Sequence, residues 1–294
     1  MKNRIDEAFK KKPIFMPYFP LGYPDLATSI DVIEALATNG ADLIEVGLSF
    51  SDPLADGPVI QQATQVALEN GITVKKSLEA VKELRRRGVT IPLILMGYFN
   101  PMLAYGLEKF IRDAMDAGAD GFIIPDLPME EAEEFESALS GATQQGSEVE
   151  AQVAQNTRPS AALRFAHIVP MQFREDEYLP LIQMLAPTSS DERMESIARN
   201  AKGFIYLVSV TGVTGERREI SNDLGALIAR VREHTSAPVC VGFGISTPEQ
   251  AAQVGQLADG VIVGSACVKA IGGSESPVQA AREFARSFAD SLRR

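Results

Sequence analysis

The chain has no tryptophan, two cysteines and two histidines among its 294 residues. Each scarcity removes a class of protein. Cys240 and Cys267 lie in or just after apolar runs. They cannot build a disulfide framework and read as buried thiols, which suits a reducing cytoplasm. His167 falls in an irregular stretch and His234 just before a strand. Neither stands where a histidine metal site or a Ser-His-Asp triad would need it. Positive charge is also short: 28 lysines and arginines face 39 acids, a net charge of −11. That balance argues against nucleic acid as a partner. No apolar run reaches the roughly 20 residues of a membrane span, and the opening MKNRIDEAFKKK has no signal-peptide core. No lysine ends a strand, which disfavours Schiff-base chemistry. Acid–base work is left to carboxylates.

What the chain has is one conspicuous stretch, Leu43 to Pro58, LIEVGLSFSDPLADGP. It opens as a short apolar run of the kind that forms a buried parallel strand, with one acid, Glu45, inside it. A carboxylate in such a strand is costly unless paired, neutral or used. The run breaks into the turn formers Ser51-Asp52-Pro53 and Asp56-Gly57-Pro58, which bring a second acid, Asp56, eleven positions on (56 minus 45). One acid on a rigid strand and one on the loop above it can work as an acid/base pair. Taken alone, the stretch also fits a structural glutamate beside solvated aspartate turns, and slightly better.

Along the rest of the chain, strand-like and helix-like segments alternate. A short helix over residues 4–11, with Ile5 and Phe9 on one side, is expected to cover one end of a core. Eight strands are predicted: Ile14–Phe19, Leu43–Leu48, Pro92–Tyr98, Gly121–Ile124, Leu181–Leu185, Phe204–Ser209, Val239–Gly242 and Gly260–Val263. Asn100-Pro101 reads as a loop, and Asp25 as the N-cap of a helix ending at Gly40. Thr247-Pro248-Glu249-Gln250 and Ser276-Pro277-Val278-Gln279 each carry a capping hydroxyl, a first-turn proline and a glutamine. Gly40-Ala41-Asp42 and Gly118-Ala119-Asp120 each end a helix and feed a strand, 78 residues apart (118 minus 40), and Leu257-Ala258-Asp259 repeats the phrase. Strand–helix units of about forty residues, repeated, predict an α/β fold: a single-domain (β/α)8 TIM barrel over residues 1–294. One segment, 137 to about 177, breaks the rhythm between strands four and five. Its Gly, Ser, Gln and Ala content marks a tolerated, flexible insertion.

Glycine loops follow the last three strands: Gly212-Val213-Thr214-Gly215, Gly242-Phe243-Gly244-Ile245-Ser246 and Gly264-Ser265. Glycine lets backbone N–H groups approach an anion, and barrels commonly bind phosphate after strands seven and eight. Three such loops in succession make a phosphate site the natural reading.

FSDPLADGP after a glutamate-bearing strand, with GVTG, GFGIS and GS at later strand ends, resembles the tryptophan synthase α chain. The likeness spans about 1–136 and 178–294. It implies retro-aldol cleavage of indole-3-glycerol phosphate to indole and glyceraldehyde 3-phosphate. It further implies Glu45 as general acid/base and Asp56 as the acid that binds the indole N–H. Tyr206 falls near that glutamate, and Tyr18 and Met96 line the indole pocket. Gly215, Gly244, Gly264 and Ser265 bind phosphate, and Thr214 sits on a lid over 211–218. The same resemblance implies no metal and no cofactor in this chain, pyridoxal phosphate belonging to a partner β chain in an α2β2 assembly. The 53–58 and 126–128 loops are expected at that contact. Ser49 stands where the family usually has proline, Pro20 where many members have threonine, and the 137–177 segment exceeds the family's link. Three alternatives stay open: another phosphate-binding barrel lyase or isomerase, a stand-alone indole-releasing lyase, or a catalytically weak activating partner of a β chain.

Overall fold

The computed structural model describes residues 4–142, 179–208, 217–242 and 244–294, with backbone alone over 217–223. Eight parallel strands form one sheet in the order β4-β3-β2-β1-β8-β7-β6-β5. They are β1 Ile14–Pro20, β2 Ile44–Gly47, β3 Leu93–Met96, β4 Gly121–Ile123, β5 Gln183–Leu185, β6 Ile205–Val208, β7 Val239–Gly242 and β8 Gly260–Val263. The sheet curls until its ends meet. Phe122 N donates to the Pro180 carbonyl at 2.9 Å, and Ile182 N to the Phe122 carbonyl at 2.8 Å, closing β4 onto the start of β5. This is the expected (β/α)8 barrel. Its strands are apolar on both faces because one face fills the barrel and the other meets the helices; every residue of β1, β2, β3, β7 and β8 is buried.

The helices are α1 Arg4–Ala8, α2 Leu26–Thr38, α3 Pro58–Glu69, α4 Val74–Arg86, α5 Phe99–Tyr105 and α6 Leu107–Ala117, then α7 (residues 133–142), α8 Asp191–Asn200, α9 Arg217–Arg232, α10 Pro248–Gly255, α11 Ser265–Gly272 and α12 Pro277–Leu292. Asp25 caps α2 by accepting from Thr28 N, and Thr247 with Gln250 closes a capping box on α10. Beneath the barrel, Ile5 and Phe9 are buried as expected, Phe9 against Phe204 with ring centroids 5.7 Å apart. Cys240 and Cys267 are buried free thiols.

The repeated Ala-Asp phrase has a structural cause. Asp42, just before β2, accepts the Phe15 N–H of β1 at 2.9 Å. Asp120, before β4, accepts Leu93 N of β3 at 2.8 Å, and Asp259, before β8, accepts Val239 N of β7 at 2.9 Å. Each aspartate clamps the start of its strand to the preceding one, and each has a cation: Arg293 for Asp42, Arg4 and Arg85 for Asp120, Lys12 and Arg232 for Asp259. At the equivalent place before β6 the phrase reads Ala201-Lys202-Gly203.

Three readings of the sequence are revised. Asn100-Pro101 is not a loop but lies in the first turn of α5, where proline loses no hydrogen bond because that turn's N–H groups have no intrahelical partner. Asp126, in the loop after the neighbouring strand β4, accepts the Phe99 N–H at 2.9 Å and so caps that helix from the adjacent loop. Ser276 makes no side-chain cap on α12; its own N–H donates to Ser274 Oγ at 3.1 Å. Residues 137–142 continue α7, so the irregular segment starts later than expected, and its remainder lies outside the described residues.

Candidate active site

At the C-terminal ends of the strands the barrel opens into a cavity of about 720 Å³. β2 turns Glu45 inward into it. Glu45 is 1% exposed, and its Oε1 accepts no hydrogen bond among the described residues. Burial, with the charge of Asp56 added, pushes its carboxyl up from 4.5 to about 8. At neutral pH Glu45 therefore carries a proton. A buried carboxyl without a partner is expensive, and such strain concentrates where chemistry is done.

Asp56 enters from the loop between β2 and α3. Burial raises its carboxyl also, but Tyr98 pulls it down by donating from Oη to Oδ2 at 3.1 Å. Both carboxyls are thus raised by burial, Glu45 with no donor on its Oε1 and Asp56 with one hydrogen bond that partly offsets the rise.

Two tyrosines enclose them. Tyr18 on β1 is the register partner of Glu45 on β2, and Tyr206 lies on β6. Both hydroxyls are held well above their usual range, first by burial and then by the nearby carboxylates. Glycines on neighbouring strands make room for them. A Cβ on Gly47 would fall inside the van der Waals shell of Tyr18 Oη, and one on Gly242 would lie 2.6 Å from Tyr206 Oη.

The opposite wall is built from β7, β8 and α11. Gly244, in the left-handed region at φ 78°, Gly264 and Ser265 line it with Ile245 and Ser246. α11 begins at Ser265 with no side-chain cap, so its first-turn N–H groups are available to an anion. One turn on, Lys269 is the cavity's one cationic lining residue among those described.

Of the residues singled out from the sequence, Glu45, Asp56, Tyr18, Met96, Tyr206, Gly244, Gly264 and Ser265 all line this one cavity. Glu45 and Asp56 thus face one pocket. Thr214 and Gly215 lie outside the described residues. Ser49 donates only weakly, at 3.5 Å, to the Leu21 carbonyl. Sequence reasoning missed Tyr98, Gly47, Ile60 and Lys269, and it placed Gly242 in a glycine loop without seeing the room it leaves for Tyr206. Tyr98, which the sequence reading took as the last residue of a strand, lies two residues past β3. Lys269 stands one helical turn past Ser265, a spacing that pointed to it. Among the described residues no group of three or more His, Cys, Asp or Glu side chains could hold a metal ion.

A closed (β/α)8 barrel with two buried acids and a glycine-lined wall meeting in one cavity at the strand C-termini has the build of a barrel enzyme with a carboxylate-bearing site. A family model described as tryptophan synthase alpha chain matches residues 6–159 and 167–293. The tryptophan synthase alpha chain of Chloroflexus aggregans is 44% identical over 271 residues, covering 90% of this chain and 88% of that one. That of Roseiflexus sp. is 44% identical over 295 residues, covering 97% and 99%. A crystal structure of tryptophan synthase subunit alpha from Legionella pneumophila superposes with a TM-score of 0.80 at 32% identity, covering 100% of this chain and 99% of that one. The chain belongs to the tryptophan synthase alpha chain family, lyases that cleave indole-3-glycerol phosphate to indole and glyceraldehyde 3-phosphate in tryptophan biosynthesis.

Proposed function

We propose that Glu45 carries both proton transfers of this cleavage and that Asp56 holds the indole nitrogen. The observation behind this is the buried Glu45, whose Oε1 is unpartnered among the described residues and whose carboxyl is held up at about 8, facing the same cavity as an Asp56 that Tyr98 holds by a hydrogen bond. Glu45 first gives its proton to indole C3. The ring becomes an indoleninium, whose N–H the Asp56 carboxylate accepts. Glu45, now a carboxylate, takes the proton of the hydroxyl on the adjoining glycerol carbon. The bond from that carbon to indole C3 breaks, the carbonyl of glyceraldehyde 3-phosphate forms, and the electron pair returns to the ring and neutralises its nitrogen. Glu45 ends protonated as it began, so the steps balance with no cofactor.

Tyr18, Met96 and Tyr206 flank the indole. The phosphate lies on Gly244, Gly264 and Ser265, with Gly215 and Thr214 contributing by resemblance, and Lys269 favours its charge. Pyridoxal phosphate belongs to a partner β chain. The 53–58 loop, where Leu54 is 91% exposed, and the 126–128 loop suit contact with that chain in an α2β2 assembly. Residues 1–294 act as one barrel domain in the cytoplasm; among the described residues no helix is long and apolar enough to cross a membrane.

Indole release by Glu45→Gln tests the assignment. kcat is expected to fall by about 10²–10⁴ with KM little changed, the usual weight of acid–base catalysis. A folded variant that releases indole at the wild-type rate refutes it. Parallel assays with and without a β chain separate the assembly from the stand-alone reading.

A further inference from the structure

Tyr98 is the least explained of the buried groups around the cavity, because it belongs to neither the anion wall nor the pair of acids. It stands two residues past β3, is 4% exposed, and sits at the N-cap of α5 without capping it through its side chain. Its hydroxyl points instead at the loop from β2. Ala55 N donates to Tyr98 Oη at 2.9 Å, and Oη donates to Asp56 Oδ2 at 3.1 Å. Its ring lies against Phe50 with centroids 5.6 Å apart, so the ring also rests on the start of that loop. Around Asp56 the loop is tied further by Asp56 N to the Pro53 carbonyl and by Gln61 Nε2 to the Asp56 carbonyl. Among the described residues, only the Tyr98 tie reaches the carboxylate itself.

The geometry points to Tyr98 as the positioning residue of Asp56: it fixes the carboxylate over the cavity and spends its hydroxyl proton on one oxygen, leaving the other for the substrate's N–H. This rests on the acid–base reading of Glu45 and Asp56. A phenol is suited to the task because it stays protonated. Burial and the charges of Asp56 and Asp126 hold Tyr98 well above its usual range, so it donates throughout the working pH interval. The titratable groups that share Asp56's surroundings are Glu45, Tyr18, Tyr98 and Tyr206. Of these, Tyr98 is the one that lowers Asp56.

Tyr98→Phe keeps the ring against Phe50 and removes only the hydroxyl. The expected result is a fall in kcat of about 10- to 100-fold, the weight of one hydrogen bond to an ionised acceptor. The acid limb of the kcat profile should move to higher pH, because Asp56 loses the interaction that favours its charge. A cycle with Asp56→Asn gives the second readout. If Tyr98 works through Asp56, the double variant is no slower than Asp56→Asn alone. Additive losses, or an unmoved acid limb, overturn the proposal even where Asp56→Asn alone is inactive. Full activity of both Glu45→Gln and Asp56→Asn would instead remove the acid–base reading, and the proposal with it.

Discussion

Glu45→Gln should make this protein more stable while it stops the reaction. In the unfolded chain the carboxyl titrates near 4.5, whereas in the barrel it titrates near 8. Below 4.5 the group is neutral in both states and costs nothing. As pH rises, the unfolded chain gains by ionising and the folded chain cannot follow, so stability falls by about 1.4 kcal/mol per pH unit until pH reaches about 8. The full loss is about 5 kcal/mol, and at pH 7 it is about 3 kcal/mol. Glutamine has no proton to hold and shows no such slope. Urea unfolding of both proteins across pH 4.5 to 8.5 should therefore show the variant gaining on the parent as pH rises, by about 3 kcal/mol between pH 4.5 and pH 7. The slope is the decisive quantity, since any fixed difference between amide and carboxylic acid cancels from it. A difference that stays flat over this interval, or narrows as pH rises, would refute the reasoning that burial keeps Glu45 protonated.

Other outcomes follow from the packing. Gly242→Ala would bring a methyl against Tyr206 Oη and push the ring into the cavity, so indole affinity should drop at a destabilisation of about 1–3 kcal/mol, read by product inhibition and thermal unfolding. Lys269→Gln should raise KM about fivefold, from roughly 1 kcal/mol of partly screened attraction, and should flatten the dependence of kcat/KM on ionic strength. Asp120→Ala removes the acceptor of the Leu93 N–H and the ion-pair partner of Arg85, which keeps carbonyl acceptors at Gly118, Val89 and Ile91, and should lower unfolding free energy by about 1–3 kcal/mol in urea, with kcat retained in the folded fraction.

The fold was legible because two signals agreed over the whole chain: short apolar runs at strand length, and a recurring Ala-Asp phrase before even-numbered strands. Helix α5 was not, because Asn100-Pro101 carries the local signature of a turn, and only Asp126, 27 residues away, supplies the missing cap. The acids and the glycine wall stood out through their position at strand ends. Gly47 and Gly242 did not, since their use is to leave space for tyrosines on other strands, and a sequence shows no cross-strand neighbour until the register is known. Tyr98 was hidden for the same reason: its meaning lies in Asp56, 42 positions earlier.

The aspartate clamps beneath the barrel bear on the precision of the site above it. Asp42 meets the Phe15 N–H, and three residues further along each strand Glu45 stands level with Tyr18. The two pairings share one offset, 42 to 15 and 45 to 18, so the lower one serves as a datum from which the height of the catalytic carboxyl is gauged. Slippage by one residue would move Glu45 by about 3.3 Å and turn it to the other face of the sheet. The height of Glu45 is thus referenced at the far end of the barrel from the cavity, by a largely buried carboxylate and the two hydrogen bonds that join Asp42 and Phe15.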